Sequence, residues 1–197
     1  MTLGFDLSAI QQKHDCQTYI ETGLGYCDAE DVSLNQALEC NFSKCISLEI
    51  DPRFTTIGKE VFKTQIEKGR CELITDDSTN LAQYLSDDQG KTLFFLDAHI
   101  QANMGDRCNF KRVCPLIEEL DAIKTLTRKD NIICIDDLRI ITGCKWGDYQ
   151  HVDLLSMIKA KVLEINPDYQ FSRLNGHVTD DVLYCFLPQS GADGQSG

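Results

Sequence analysis

Five short apolar runs that end in or next to carboxylates constrain this chain more than any other feature. They are residues 18–21, leading into TGLG, then 45–50, 72–75, 92–96 and 131–135. Amphipathic stretches of helical spacing alternate with them, at 29–40, 52–67, from Ser78 onward, 115–126 and 152–165. Strands that are apolar throughout must be covered on both faces, and strand–helix alternation supplies that cover when the strands run parallel. Pro52 suits a first helical turn, where its missing N–H would have had no partner. Two closing strands, 169–174 and 182–187, flank the polar stretch NGHVTDD and read as an antiparallel hairpin. The expected fold is α/β: a mostly parallel sheet, helices on both faces and a C-terminal antiparallel hairpin. Residues 100–112 and 138–150 read as irregular segments. The stretch 189–197, QSGADGQSG, reads as a disordered tail.

A length of 197 residues fits one domain, placed at 1–188, and is enough to bury a core without covalent staples. The 19 basic and 31 acidic residues leave a net charge of −12, which argues against broad binding to nucleic acid or to an anionic membrane. Ten cysteines amount to about 5% of the chain, below the roughly 8–10% of disulfide scaffolds. Several lie inside apolar runs, as in CISLEI, NIICID and VLYCFL, where they serve as small hydrophobes. No secretory leader is visible at the N-terminus, and no apolar run approaches the roughly 18 residues of a membrane span. The expectation is a soluble, reduced, cytoplasmic protein. Cys108 and Cys114 share one loop and could hold a metal together with His99; free thiols are the alternative.

In open α/β sheets, ligands bind outside the carboxyl ends of the strands, where strand order reverses. The residues just past each run therefore matter most: Glu21-Thr22-Gly23-Leu24-Gly25, Glu49 and Asp51, Asp76-Asp77-Ser78, Asp97-Ala98-His99 and Asp136-Asp137. The two glycines let a backbone approach a ligand closely, although a tight strand-to-helix turn would use them equally. A dinucleotide fingerprint needs a third glycine where Asp28 stands, and no Gly-Lys-Ser/Thr phosphate loop is present. An acidic turn suits a cation, or a ligand carrying an ammonium group. Glu49 can accept two hydrogen bonds from a ribose diol or can be a solvated acid, and Asp51 reads as the cap of the Pro52 helix. Asp77 and Ser78 can edge an adenine, and Ser78 can equally cap the next helix. Neighbouring strands lie about 4.8 Å apart, so Asp97, Asp136 and Asp137 can surround one point. Their mutual repulsion would be relieved by a divalent cation such as Mg²⁺, or by a cap and a pairing with Arg139 or Arg112. His99 is available as a base or a ligand.

In this order the motifs ETGLG, LEID, DDS, FLDAH and IDD resemble those of the class I S-adenosylmethionine-dependent methyltransferases, over about residues 17–188. The stretches FFLDAHI…CPLIEEL and IDDLRI resemble a bacterial and phage subgroup of that family. The resemblance implies a Rossmann-like, seven-stranded sheet whose last strand is inserted antiparallel. It also implies roles for residues. Glu21, Gly23 and Gly25 would hold the methionine end of S-adenosylmethionine, and Glu49 the ribose hydroxyls. Asp77 and Ser78 would border the adenine, and Asp97 would adjoin the cofactor. Asp97, Asp136 and Asp137 match the Mg²⁺ ligands of the catechol- and macrocin-type O-methyltransferases. Cys27 replaces the third small residue of the first motif, and Ile100 stands where the catechol type carries a lysine.

The function this implies is methylation of a hydroxyl on a small molecule or sugar, assisted by Mg²⁺, with Asp97 and His99 as the catalytic pair. A metal-independent N- or C-methyltransferase, a non-catalytic cofactor-binding module and an NAD-linked oxidoreductase are the alternatives, the last disfavoured by Asp28.

Overall fold

The computed structural model describes residues 3–27, 33–100, 108–143 and 149–188. Seven strands form one sheet: β1 (Thr18–Thr22), β2 (Lys44–Glu49), β3 (Cys71–Thr75), β4 (Thr92–Leu96), β5 (Ile132–Ile135), β6 (Gln170–Leu174) and β7 (Val182–Phe186). Their order is β3-β2-β1-β4-β5-β7-β6, parallel from β3 through β5, with β7 antiparallel to both β5 and β6. The expected α/β architecture and its closing hairpin are both present.

The helices are α1 (Leu7–His14), α2 (Ser33–Glu39), α3 (Pro52–Val61), α4 (Lys63–Glu67), α5 (Leu116–Thr125), α6 (Leu138–Ile141) and α7 (Leu154–Ile165). Alternate residues of each strand feed two cores, because strand side chains alternate between faces. On one face Ile20, Leu48, Phe94 and Ile133 pack with Leu120 and Ile123 of α5 and Ile158 and Val162 of α7. On the other, Tyr19, Cys45, Phe95 and Cys134 pack with Leu7 and Ile10 of α1 and Leu34 and Leu38 of α2. Each such Leu, Ile, Val or Phe side chain contributes about 1.5–3 kcal/mol through burial.

Local differences from the sequence reading have identifiable causes. The single helix expected over 52–67 is broken at Phe62, whose backbone (φ −96°, ψ 14°) leaves the helical region while its ring enters the core. The segment after β3 is a 3-10 turn, Ser78–Tyr84, capped by Asp77 rather than by Ser78. The segment 138–150 opens with the four-residue α6. Helix α1, absent from the sequence reading, starts on the Asp6 side chain, which accepts from the Ala9 N–H. Residues 28–32, 101–107, 144–148 and the expected tail 189–197 lie outside the described residues. Among the described residues no helix is long and apolar enough to cross a membrane.

Nine cysteines fall within the described residues; all are free thiols and only Cys40 is not buried. Burial pushes the Cys16 and Cys71 thiols up to about 12 and raises Cys45, Cys134 and Cys185 further. Because the thiolate is the reactive form, a disulfide-exchange reagent at pH 8 should label Cys40 first among these nine. The buried thiols should react only after unfolding, as read by peptide mass mapping. Rapid native labelling of Cys45 or Cys134 would contradict this packing.

Candidate functional site

Strand order reverses between β1 and β4, and a cleft opens at the carboxyl edge beside that point. It measures about 960 Å³ including its open mouth. Its walls include Gly23 and Gly25 after β1, Glu49 at the end of β2, Asp76, Asp77 and Ser78 after β3, and Asp97 and His99 after β4. Phe110, Arg112, Val113 and Pro115, ahead of α5, line it as well.

The glycine turn is fixed by sterics and by one carboxylate. Gly23 has φ +87°, and a Cβ there would stand 2.8 Å from the Asp97 carbonyl oxygen. Gly25 has φ +64° and donates its N–H to Glu49 Oε2 at 2.8 Å. Glu49 Oε1 accepts the Asp51 N–H, also at 2.8 Å, so one buried carboxylate ties the turn to the start of α3. Burial raises the Glu49 carboxyl above its ordinary value, and these backbone bonds oppose the rise. Asp51 caps α3 as expected, accepting from the Arg53 N–H.

Glu21 lies outside the walls of the cleft. It is paired within β1, opposite Ser47 and Phe95, so its side chain points into the helical layer. There it accepts from Tyr19 and Ser33 hydroxyls on Oε2 (2.9 and 2.6 Å) and from Ser47 on Oε1 (2.7 Å). Its role is to hold β1, β2 and α2 together beneath the turn. Asp77 does line the cleft, but its oxygens are engaged by the Thr79 N–H and, at 2.9 Å, by the Lys111 N–H. The second bond straps the segment ahead of α5 across the end of β3.

The remaining acids form a network rather than one three-carboxylate point. Two groups have donor atoms within 4.8 Å of one another among the described residues: Asp97, His99 and Asp137, and Asp136, Asp137 and Asp181. His99 Nε2 donates to Asp137 Oδ2 at 2.8 Å. Arg139 bonds Asp137 Oδ1 at 2.7 Å and forms a short ion pair with Asp181, whose Oδ1 also accepts the Arg139 backbone N–H. The pairing weighed for Arg139 is therefore realised, with Asp181 of the hairpin loop as its second partner. Burial pushes the Asp137 carboxyl up, yet the bonds from His99 and Arg139 outweigh it and hold the group below its ordinary value. Asp136 accepts the Asp137 N–H, and burial together with the Asp137 charge raises it. Burial, then the charges of Asp136, Asp137 and Glu21, hold Asp97 well above the carboxylate range, and its buried Oδ1 accepts no hydrogen bond from the described residues. Among the described residues, neither Cys108 nor Cys114 joins His99 in a group that could share an ion.

Two contributors escape a sequence reading. Asp181 meets Arg139, 42 residues away, only once the hairpin has folded. Glu119 is wholly buried, neither of its carboxyl oxygens has a hydrogen-bond partner among the described residues, and burial pushes the group up to about 8. Its one signal is its place in the apolar stripe of Leu116, Leu120 and Ile123.

No family model matches the sequence, and no curated protein matches it. Solved structures do resemble the fold. The O-methyltransferase of Bacillus cereus in complex with S-adenosylhomocysteine matches at a TM-score of 0.60 and 14% identity, over 92% of this chain and 79% of that one. The O-methyltransferase TomG of Streptomyces achromogenes, in complex with S-adenosylmethionine, matches at 0.59 and 13%, over 93% and 78%. A methyltransferase of Podospora anserina bound to S-adenosylhomocysteine matches at 0.52 and 16%, over 92% and 76%. The chain thus has the Rossmann-like fold of these enzymes.

Replacing Arg139 by Met should leave two buried carboxylates short of their cation and cost about 2 kcal/mol at pH 7, a figure reduced because the guanidinium is partly solvated. Asp137 is held below its unfolded value, so its contribution is present above that value and is lost as pH falls through the folded one. The Arg139→Met penalty should therefore shrink below about pH 4. Urea midpoints measure both effects, and an unchanged midpoint at pH 7 would contradict the pairing.

Proposed function

We propose that this chain is an S-adenosylmethionine-dependent methyltransferase that methylates a hydroxyl of a small molecule. The cleft at the strand-order reversal carries the reading, because one ligand there would meet the ends of β1, β2, β3 and β4 together. The surrounding charge supports it. Glu49 and Asp97 are raised by burial, and Asp97 also by neighbouring acids, and a cationic sulfonium would relieve that repulsion. The glycine turn would hold the methionine end, Glu49 the ribose hydroxyls, and Asp77 and Ser78 the adenine. The solved neighbours described above as O-methyltransferases support an oxygen acceptor. The net charge of −12 favours a small molecule over nucleic acid or an anionic membrane.

When bound, S-adenosylmethionine supplies an electrophilic methyl group and leaves as S-adenosylhomocysteine once the acceptor oxygen has taken that methyl. The protein's share is positioning and proton removal. Asp97 stands at the cleft wall, and His99, oriented by Asp137, is placed to take the hydroxyl proton. Arg139 keeps Asp137 ionised and Asp181 fixed.

The residues also fit a divalent cation, with the uncapped Asp97 Oδ1 as the observation in favour. The set gathered is Asp97, His99 and Asp137, with Asp136 lying in the neighbouring group beside Asp181. A cation held there would supply a Lewis acid that lowers the pKa of a bound hydroxyl. Its imidazole donor suits Fe²⁺ or Zn²⁺ better than Mg²⁺, which favours oxygen ligands.

Calorimetry with S-adenosylhomocysteine tests the cofactor assignment. Glu49→Ala should weaken binding by at least about 1 kcal/mol, the scale of hydrogen bonds to a charged group, in protein that still unfolds cooperatively. Unchanged affinity would remove Glu49 from the site. For the cation, Mn²⁺ or Zn²⁺ should raise the melting temperature of the wild type and leave that of Asp97→Asn unmoved. Equal shifts in the two would rule out Asp97 as a ligand.

A further inference from the structure

Tyr26 is the most exposed large hydrophobic side chain among the described residues, at 57%, yet it belongs to the wall of the cleft. A single exposed ring is ordinary on a protein surface; what sets this one apart is how firmly its backbone is held. On one side the Gly25 N–H is fixed by Glu49, whose other oxygen accepts the Asp51 N–H. On the other the Cys27 thiol donates to the Phe54 carbonyl at 3.7 Å. Between these anchors the Tyr26 ring meets the Phe54 ring edge to face, with centroids 5.7 Å apart and planes at 77°. Phe54 lines the cleft as well. The Arg53 guanidinium stands over the Phe54 ring at 5.5 Å and is itself held by both Asp51 oxygens. The Tyr26 ring is thus set in place by the start of α3 and remains more than half solvated.

We propose that Tyr26 is a specificity-determining residue that covers the nucleoside of the cofactor, packing its ring on the ribose and adenine once they are seated. The proposal rests on the reading of the cleft as an S-adenosylmethionine site. Strand order assigns the ring to that half of the ligand. The sheet runs β3-β2-β1-β4, so a ligand with its adenine at the end of β3, its ribose at Glu49 of β2 and its sulfur beside Gly23 and Asp97 keeps its nucleoside on the β2 side of β1. The chain leaving β1 leans to that same side, because both anchors of Tyr26 and its ring contact belong to the end of β2 and the start of α3. An aromatic face suits a purine and the apolar face of a ribose, and the phenol hydroxyl can stay in water while the ring is covered. Because the backbone is fixed beforehand, little ordering is left to offset the contact.

The experiment is calorimetry on the full chain and on Tyr26→Ala and Tyr26→Phe, with S-adenosylhomocysteine and with 5′-methylthioadenosine, which keeps the nucleoside and lacks the amino acid. Tyr26→Ala should bind both ligands about tenfold more weakly, the scale of a base packed on an aromatic ring. Tyr26→Phe keeps the ring and should keep the affinity. The melting temperature without ligand should stay close to that of the wild type in both variants, because the ring is largely solvated; a merely structural role would lower it in Tyr26→Ala. Nitration by tetranitromethane, mapped by peptide mass, gives a readout that does not depend on a variant. Tyr26 should react readily in the free protein and be protected by saturating S-adenosylhomocysteine, while the buried Tyr19, Tyr149, Tyr169 and Tyr184 resist throughout. Equal affinities for wild type and Tyr26→Ala, or nitration of Tyr26 unchanged by bound S-adenosylhomocysteine, would overturn the proposal and leave the cofactor reading standing. A loss confined to S-adenosylhomocysteine would do the same, because it would put the ring at the methionine end. An absence of S-adenosylhomocysteine binding by the wild type would overturn both.

Discussion

Parallel strands end at the same edge, and here that edge carries almost all of the chain's chemistry-bearing acids. Carboxylates packed this closely repel one another and lose water as the helices close over the sheet. The fold depends on giving most of them a partner. The apolar cores on the two faces hold the sheet together, but the partners at the edge decide its shape. Backbone N–H groups serve Glu49 and Asp136; hydroxyls serve Glu21. Arg139 serves Asp137 and Asp181. Asp97, at the cleft wall, has a buried Oδ1 that accepts no hydrogen bond from the described residues.

These solutions link the elements around the cleft. Glu49 couples the glycine turn to α3, Asp77 couples the strap ahead of α5 to the end of β3, and Arg139 couples α6 to the hairpin loop. The left-handed backbone of Asp137 (φ 63°) belongs to the same scheme, because it turns the chain into α6 while its side chain faces His99 and Arg139. A site built this way is held in place before a ligand arrives, and positioning is the main contribution a methyl-transfer site makes.

Much of this was legible in the sequence, because it follows from short-range patterns. Unbroken apolar strands gave the parallel sheet, and the residues just past them gave Gly23, Gly25, Glu49, Asp77, Ser78, Asp97 and His99 as walls of the cleft. Glu21, which the resemblance places at the methionine end, turns its side chain into the helical layer, where the Tyr19, Ser33 and Ser47 hydroxyls engage it. The arrangement of Asp136, Asp137 and Asp181 depends on a loop from the far end of the chain, and no local pattern reports it. Glu119 looks like a surface acid unless its place in the stripe of Leu116, Leu120 and Ile123 is weighed.

The central claim is that one cleft at the edge of β1–β4 takes S-adenosylmethionine. A crystal structure of the chain with S-adenosylhomocysteine tests it most directly. The account predicts density with the ribose hydroxyls at Glu49, the adenine beside Asp77 and Ser78, and the sulfur between Gly23 and Asp97. A ligand seated elsewhere, or a cleft left empty at saturating ligand while these side chains keep their present contacts, would contradict it.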